Sequence, residues 1–108
     1  MKFSKELSTG TIPTMILSVL KSEDMYGYKI TKTLSQRSDN VFNLKEGTLY
    51  PILHSMEKEG ILESYWDTSS ARKKKYYHIT KKGVKLLDEK IEEFDEFTVT
   101  VKKVLHFA

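Results

Sequence analysis

Between Glu46 and Leu62 the chain reads EGTLYPILHSMEKEGIL, and no other stretch restricts the possible fold as much. Leu49, Ile52, Leu53 and Met56 follow the spacing of a helix face turned to a core. At about 100° per residue the opposite face carries Gly47, Thr48, Pro51, His54 and Lys58, with Tyr50 and Ser55 on its flanks. Gly60 then supplies the left-handed residue that closes a helix C-terminus. A face this small and polar at its N-terminal end suits a DNA major groove, where short side chains must reach base edges. An ordinary surface helix would show the same stripe, so the flanking segments have to decide.

Upstream, Ile12, Met15, Ile16, Val19 and Leu20 repeat at helical spacing from about Thr11 to Lys21, with Pro13 in the first turn where its missing N–H costs nothing. Leu7 can begin a short preceding turn, and Ser22 to Met25 reads as a polar connector. A second helix is expected from about Tyr26 to Arg37 on the stripe Tyr26, Ile30, Leu34. Gly27 weakens that helix by about 1 kcal/mol relative to alanine, which points to another helix approaching closely there. Ser38, Asp39 and Asn40 end it, and Val41 to Leu44 is an extended link. The next helix can start with Asn43 as cap, at capping-box distance from Glu46, or with Lys45 as the last non-helical residue. An interior Pro51 costs about 3 kcal/mol, yet a helix beginning only there could not place Leu49 on the apolar stripe. A continuous, locally bent helix is therefore expected.

After Gly60 the period changes. Glu63 to Asp67 and Lys75 to Ile79 are short, aromatic-rich runs separated by Thr68, Ser69 and Ser70, a β-hairpin pattern in which Tyr65, Trp66, Tyr76 and Tyr77 can cover an edge of the core. Two helices, a connector, a third helix and a basic hairpin describe a winged helix-turn-helix. Thr80 can cap a last helix running nearly to Ala108, roughly 40 Å at 1.5 Å per residue and too long for so small a domain to cover. Along it Val84, Leu87, Ile91, Phe94, Thr98, Val101 and Leu105 form a heptad seam interrupted by Thr98, and Leu86, Phe97 and Val104 widen it. The expected fold class is mainly α with a small β-hairpin: a winged helix-turn-helix over residues 1–80 and a C-terminal dimerisation helix over 81–108, together one structural unit. The 108 residues leave no room for a second folded domain.

Several function classes lose support. Without cysteine there is no disulfide, thiolate nucleophile or cysteine-rich zinc site. His54, His78 and His106 have no metal-ligand spacing, and no phosphate-binding, dinucleotide or nucleophile-elbow motif occurs, so neither a metal, a cofactor nor an enzyme activity is expected. No uncharged apolar run can span a bilayer, and the N-terminal stretch is read as core helix rather than signal peptide. A soluble, cytoplasmic protein is expected. The net charge of +3 says little, but its distribution says more. Arg72 to Lys75, continued by Lys81, Lys82 and Lys85, make a basic end, whereas Asp88, Glu89, Glu92, Glu93, Asp95 and Glu96 crowd the next segment.

The segments MYGYKI (Met25 to Ile30), EGTLYPIL (Glu46 to Leu53), EKEGIL (Glu57 to Leu62) and RKKKYYHIT (Arg72 to Thr80) resemble, in order and spacing, the PadR family of bacterial transcriptional regulators. The resemblance covers almost the whole chain, and the single short C-terminal helix is similar to the family's smaller subfamily. It implies a homodimeric winged helix that binds an operator, usually represses, and is sometimes released by aromatic or cationic small molecules. Lys45 departs from the small capping residue common before this EGTLYP-like motif.

Double-stranded DNA and a second copy of the chain are thus the expected partners. Thr48, Tyr50, Pro51 and His54 are the expected groove-facing residues, with Tyr50 equally suited to an interhelical contact. Lys29 and Lys58 are placed for phosphates, and Arg72, Lys73 and Lys74 for the backbone or minor groove beside the wing, although a charge run alone is often only a solvated turn. Lys81 and Lys82 sit against the helix dipole, a strain that DNA phosphate or water alone could relieve. The expected dimer seam is Val84, Leu87, Ile91, Phe94, Val101 and Leu105. By resemblance and aromatic placement, Trp66, Phe94 and Phe97 are candidate walls for a small aromatic or cationic effector, though aromatic stripes are more often simple core. A winged-helix module that meets an acidic protein partner without specific DNA binding is the alternative; salt-dependent duplex binding separates the two.

Overall fold

A computed structural model describes residues 2–107; the outer limits expected at Met1 and Ala108 lie outside the described residues. Ser4 accepts from the Leu7 N–H and caps a single turn, α1 (Lys5–Ser8), which leads into α2 (Ile12–Ser22) with Pro13 in its first turn. Ile16, Leu17, Val19 and Leu20 of α2 are buried and form the middle of the core.

The connector after α2 is not wholly polar linker. Met25 and Tyr26 form a short strand, β1, and Tyr26 precedes α3 (Gly27–Arg37) instead of opening its apolar stripe. Two residues are too few to show a period, so β1 exists because a partner strand supplies its hydrogen bonds. That partner is β3 (Lys74–Ile79), central between β1 and β2 (Leu62–Asp67) in an antiparallel sheet. The expected hairpin is present, extended by one residue at the start of each strand and by this third strand. Its pleat corrects one expectation: Leu62, Tyr77 and Ile79 are buried on the inner face, whereas Tyr65 and Trp66 are exposed. Of the four aromatic residues expected to cover the core, Tyr77 alone is buried in it.

Asp39 and Asn40, with φ of 51° and 65°, turn the chain after α3 through the left-handed region that Asn and Asp tolerate better than most residues. The Ser35 hydroxyl lies 2.9 Å and 2.8 Å from the side-chain oxygens of Asn40 and Asn43 and can donate to one at a time; the Asn43 amide donates to the Asn40 carbonyl. Asn43 is thereby committed to the connector. Lys45 is the residue that precedes α4 (Glu46–Lys58), which runs continuously through Pro51.

The last helix, α5 (Lys81–Leu105), begins with Thr80, whose hydroxyl accepts from the Gly83 N–H at 3.1 Å and lies 2.7 Å from the Gly60 carbonyl. Lys82 donates to the Glu59 carbonyl at 2.7 Å, so the end of α4 already supplies the acceptor for that lysine. The first turns of α5 cross α2, and Leu87 is 0% exposed. Val84 and Leu86 pack against the same core. Val84 and Leu87, expected on the dimer seam, are therefore core residues of their own chain, because the domain covers the start of the helix. Beyond them α5 projects, and the molecule measures 60 × 28 × 21 Å.

Candidate nucleic-acid interface

The amphipathic division expected for α4 is realised. Leu49, Leu53 and Met56 are buried, and Gly47, Thr48, Pro51, His54, Ser55 and Lys58 are exposed on one side. The proline removes one hydrogen bond, to the carbonyl of residue 47, on the solvent side where water can replace it. Tyr50 occupies a different position from Thr48 and His54. It is half-buried, and a Cβ placed on Gly27 would overlap its hydroxyl, with the ring carbon beneath at 2.9 Å. Gly27 thus admits α4 against α3, as its low helix propensity suggested, and the occupant of that space is Tyr50. The Tyr50 and His54 rings lie 6.3 Å apart, so an interhelical residue flanks an exposed one.

The cationic candidates also divide. Lys58, Arg72 and Lys73 are exposed. Lys29 already pairs with Glu23 at 3.0 Å, a contact between partly exposed groups and therefore weak. Lys74 lies 4.4 Å above the Tyr26 ring, where its charge meets the π face. At the wing turn the Asp67 carboxylate accepts from the Ser69 N–H at 2.9 Å, and Ser69 holds its pKa below the ordinary carboxylate value. The turn that carries Arg72 and Lys73 therefore begins from a fixed hydrogen bond.

Three groupings were not visible in the linear sequence. On the outer sheet face, β1, β3 and β2 align Tyr26, Tyr76 and Tyr65, with ring centroids 5.6 Å and 5.8 Å apart, and Tyr28 stacks 6.4 Å from Tyr26. Beside them the Asp24 carboxylate accepts from the Tyr65 hydroxyl at 2.7 Å and lies 2.8 Å from His78 Nδ1. Burial alone would raise the Asp24 pKa, but the hydrogen bonds from Tyr65 and His78 bring it below the ordinary value. The same bond to Asp24, aided by desolvation and nearby negative charge, raises Tyr65 to about 12. On the inner face the Ser64 hydroxyl donates to Glu57 of α4, and Lys75 lies 3.9 Å from the same carboxylate. This last contact joins the wing to α4. The signal for these groupings was the strand alternation, but the pairing register was needed to read it.

The candidate effector residues are not gathered into one cavity. Phe97 borders a shallow depression along α5 with Glu89, Glu92, Glu93, Glu96 and Thr100, whereas Trp66 belongs to the wing. Phe94 is 48% and Phe97 65% exposed. Ile91 and Leu105 are also exposed, and Val101 is half-buried. Among the described residues there is no cluster of His, Asp or Glu that could hold a metal, and no helix is long and apolar enough to cross a membrane.

Residues 16–89 match the model of the transcriptional regulator PadR-like family. A protein of Lysinibacillus sphaericus is 37% identical over 92 residues, which cover 84% of each chain. Among solved structures, a transcriptional regulator from Clostridium thermocellum superposes with a TM-score of 0.86 and 34% identity, covering 94% of this chain and 96% of that one. A PadR family transcriptional regulator from Eggerthella lenta reaches the same TM-score at 32% identity, with 95% and 88% covered.

Proposed function

The chain belongs to the PadR-like family of transcriptional regulators, non-enzymatic DNA-binding proteins, and from that premise we propose that it is a homodimeric repressor of a pseudo-palindromic operator. The observation that carries the reading is the exposed side of α4, where Thr48, Pro51 and His54 form a low polar surface, followed by Lys58 and accompanied by Arg72 and Lys73 on the wing. Thr48 and His54 can reach base edges, Pro51 keeps that surface low, and Tyr50 holds α4 against α3 at the edge of the groove contact. Lys58, Arg72, Lys73 and Lys74 supply phosphate contacts; Lys29 contributes once it leaves Glu23.

The second copy docks along the bare part of α5. Ile91, Phe94, Val101 and Leu105 form the seam, now without Val84 and Leu87. Charge selects its direction. A parallel pair would set the acidic block from Asp88 to Glu96 against itself, whereas an antiparallel pair centred near Thr98 sets Glu93 against the partner's Lys103 and Ile91 against the partner's Leu105. In this reading residues 1–80 recognise DNA and 81–108 dimerise, a division of roles that the core crosses at Val84 and Leu87. Phe94 and Phe97, interleaved with Glu93 and Glu96, offer ring faces and carboxylates to a planar cationic effector that would loosen the dimer from DNA.

Selection of binding sites from random duplex, followed by competition titrations at several salt concentrations, tests the reading. The expected result is an inverted repeat with half-sites about 10 bp apart, or a multiple of that. Replacing Lys73 and Lys74 with alanine should weaken operator and random duplex alike and lower the salt slope by about one per lost contact. Absence of duplex binding at low salt would overturn the reading in favour of a protein-interaction module.

A further inference from the structure

Side chains in β2 alternate between the two sheet faces, so Leu62, Ser64 and Trp66 share the inner one. Leu62 is buried in the core, and Ser64 reaches Glu57 of α4. Trp66 is the next in this row and lies past the end of the core, 62% exposed. Its cross-strand partner is Lys75, which also turns to Glu57. The register thus puts a large aromatic side chain on the sheet face that meets α4 at Glu57, two residues before the turn segment that carries Arg72 and Lys73. A tryptophan left bare in such a place has an apolar body to cover and one N–H to satisfy.

We infer that Trp66 is a DNA-backbone contact, its indole packed on a sugar-phosphate unit of the duplex in the cleft between α4 and the wing. This rests on the DNA-binding reading above. Duplex is the occupant that matches the surroundings, because the same wing carries the exposed cations Arg72 and Lys73 and its inner face is joined to α4 at Glu57. Deoxyribose offers an apolar surface to the ring, and the adjacent phosphate accepts from the indole N–H. Trp66 therefore supplies affinity and sets the angle of the wing without reading sequence. Trp66 does not border the depression along α5, which is lined by residues of that helix.

Trp66 is the sole tryptophan, so the unmodified protein reports on the contact directly. Titration with operator or random duplex should quench and blue-shift its emission in step with the anisotropy of a labelled duplex. Trp66→Ala should bind both duplexes about tenfold more weakly, with the operator-to-random ratio and the salt slope unchanged, since neither a base contact nor a charge is lost. Trp66→Phe should recover most of the loss. Emission that stays constant while anisotropy reports saturation overturns the inference and leaves the DNA-binding reading standing. Full affinity in a folded Trp66→Ala overturns it too, as does emission that responds to planar aromatic cations but not to duplex. If anisotropy itself detects no duplex binding, the DNA-binding reading has failed, and this inference with it.

Discussion

At the residue scale, the exposed face of α4 separates two roles. Thr48 and His54 are exposed and meet bases in the proposed reading, whereas Tyr50 is held by α3 at Gly27. Thr48→Ala and His54→Ala should each reduce discrimination at particular operator positions by about 1 to 3 kcal/mol while leaving random-duplex affinity nearly unchanged. An unchanged operator-to-random ratio in competition titrations would place the reading surface elsewhere. Asp24 and Tyr65 make a second residue-scale prediction. The Asp24 pKa is lowered, so its contribution to stability is present above the ordinary carboxylate value of 3.8 and is lost as pH falls through the folded value. Tyr65 is raised to about 12 from 10.0, so its contribution is complete below pH 10 and is lost as pH rises towards 12. Tyr65→Phe removes the shared bond, and its urea midpoint should approach that of the wild type at both extremes of pH while falling below it between them.

At the scale of elements, the join between α5 and the rest of the fold is tight. A Cβ on Gly83 would overlap the Ile61 carbonyl and come within 2.7 Å of the Ile79 side chain. The close approach lets Thr80 and Lys82 bind the carbonyls of Gly60 and Glu59. Gly83→Ala should therefore destabilise the fold by about 1 to 3 kcal/mol despite alanine's better helix propensity, because overpacking against backbone is not relieved by a rotamer change. Urea unfolding followed by circular dichroism measures the difference; a more stable variant would mean that α5 can shift outward without loss. The wing has a counterpart at Glu57, where one carboxylate faces both Ser64 and Lys75. That contact belongs to neither element alone and joins the wing to α4.

At the scale of the whole molecule, α5 has two parts with different environments. Its first turns complete the core through Leu87, and the remainder projects with Ile91, Phe94, Phe97, Val104 and Leu105 exposed. Burying one such side chain contributes about 1.5 to 3 kcal/mol, and several per chain can drive association. Phe94→Lys should shift the sedimentation coefficient at micromolar concentration from dimer to monomer while leaving the circular dichroism of the domain intact. A wild type that remains monomeric there would refute the self-association reading. The two DNA-binding surfaces would then act singly, and the expected inverted repeat would have no symmetric protein to match it.

The helices were legible in the sequence because a stripe at helical spacing is local information: Ile12 to Leu20 and Leu49 to Met56 lie where their spacing put them, and α5 runs along the span its spacing marked. The hairpin was legible for the same reason, from two aromatic runs and a polar turn. The order of MYGYKI, EGTLYPIL, EKEGIL and RKKKYYHIT also pointed to the family to which the chain belongs. What the sequence could not assign was the partner of each apolar residue. Leu87 and Ile91 carry the same heptad signal, yet one is sealed in the core and the other is exposed, a difference set by where the domain ends beneath α5. Likewise β1 exists only beside β3, and the meetings of Asp24 with Tyr65 and His78, Glu57 with Ser64, and Gly27 with Tyr50 depend on elements far apart in the chain. Periodicity determines which face of an element is apolar; only tertiary packing decides what covers it.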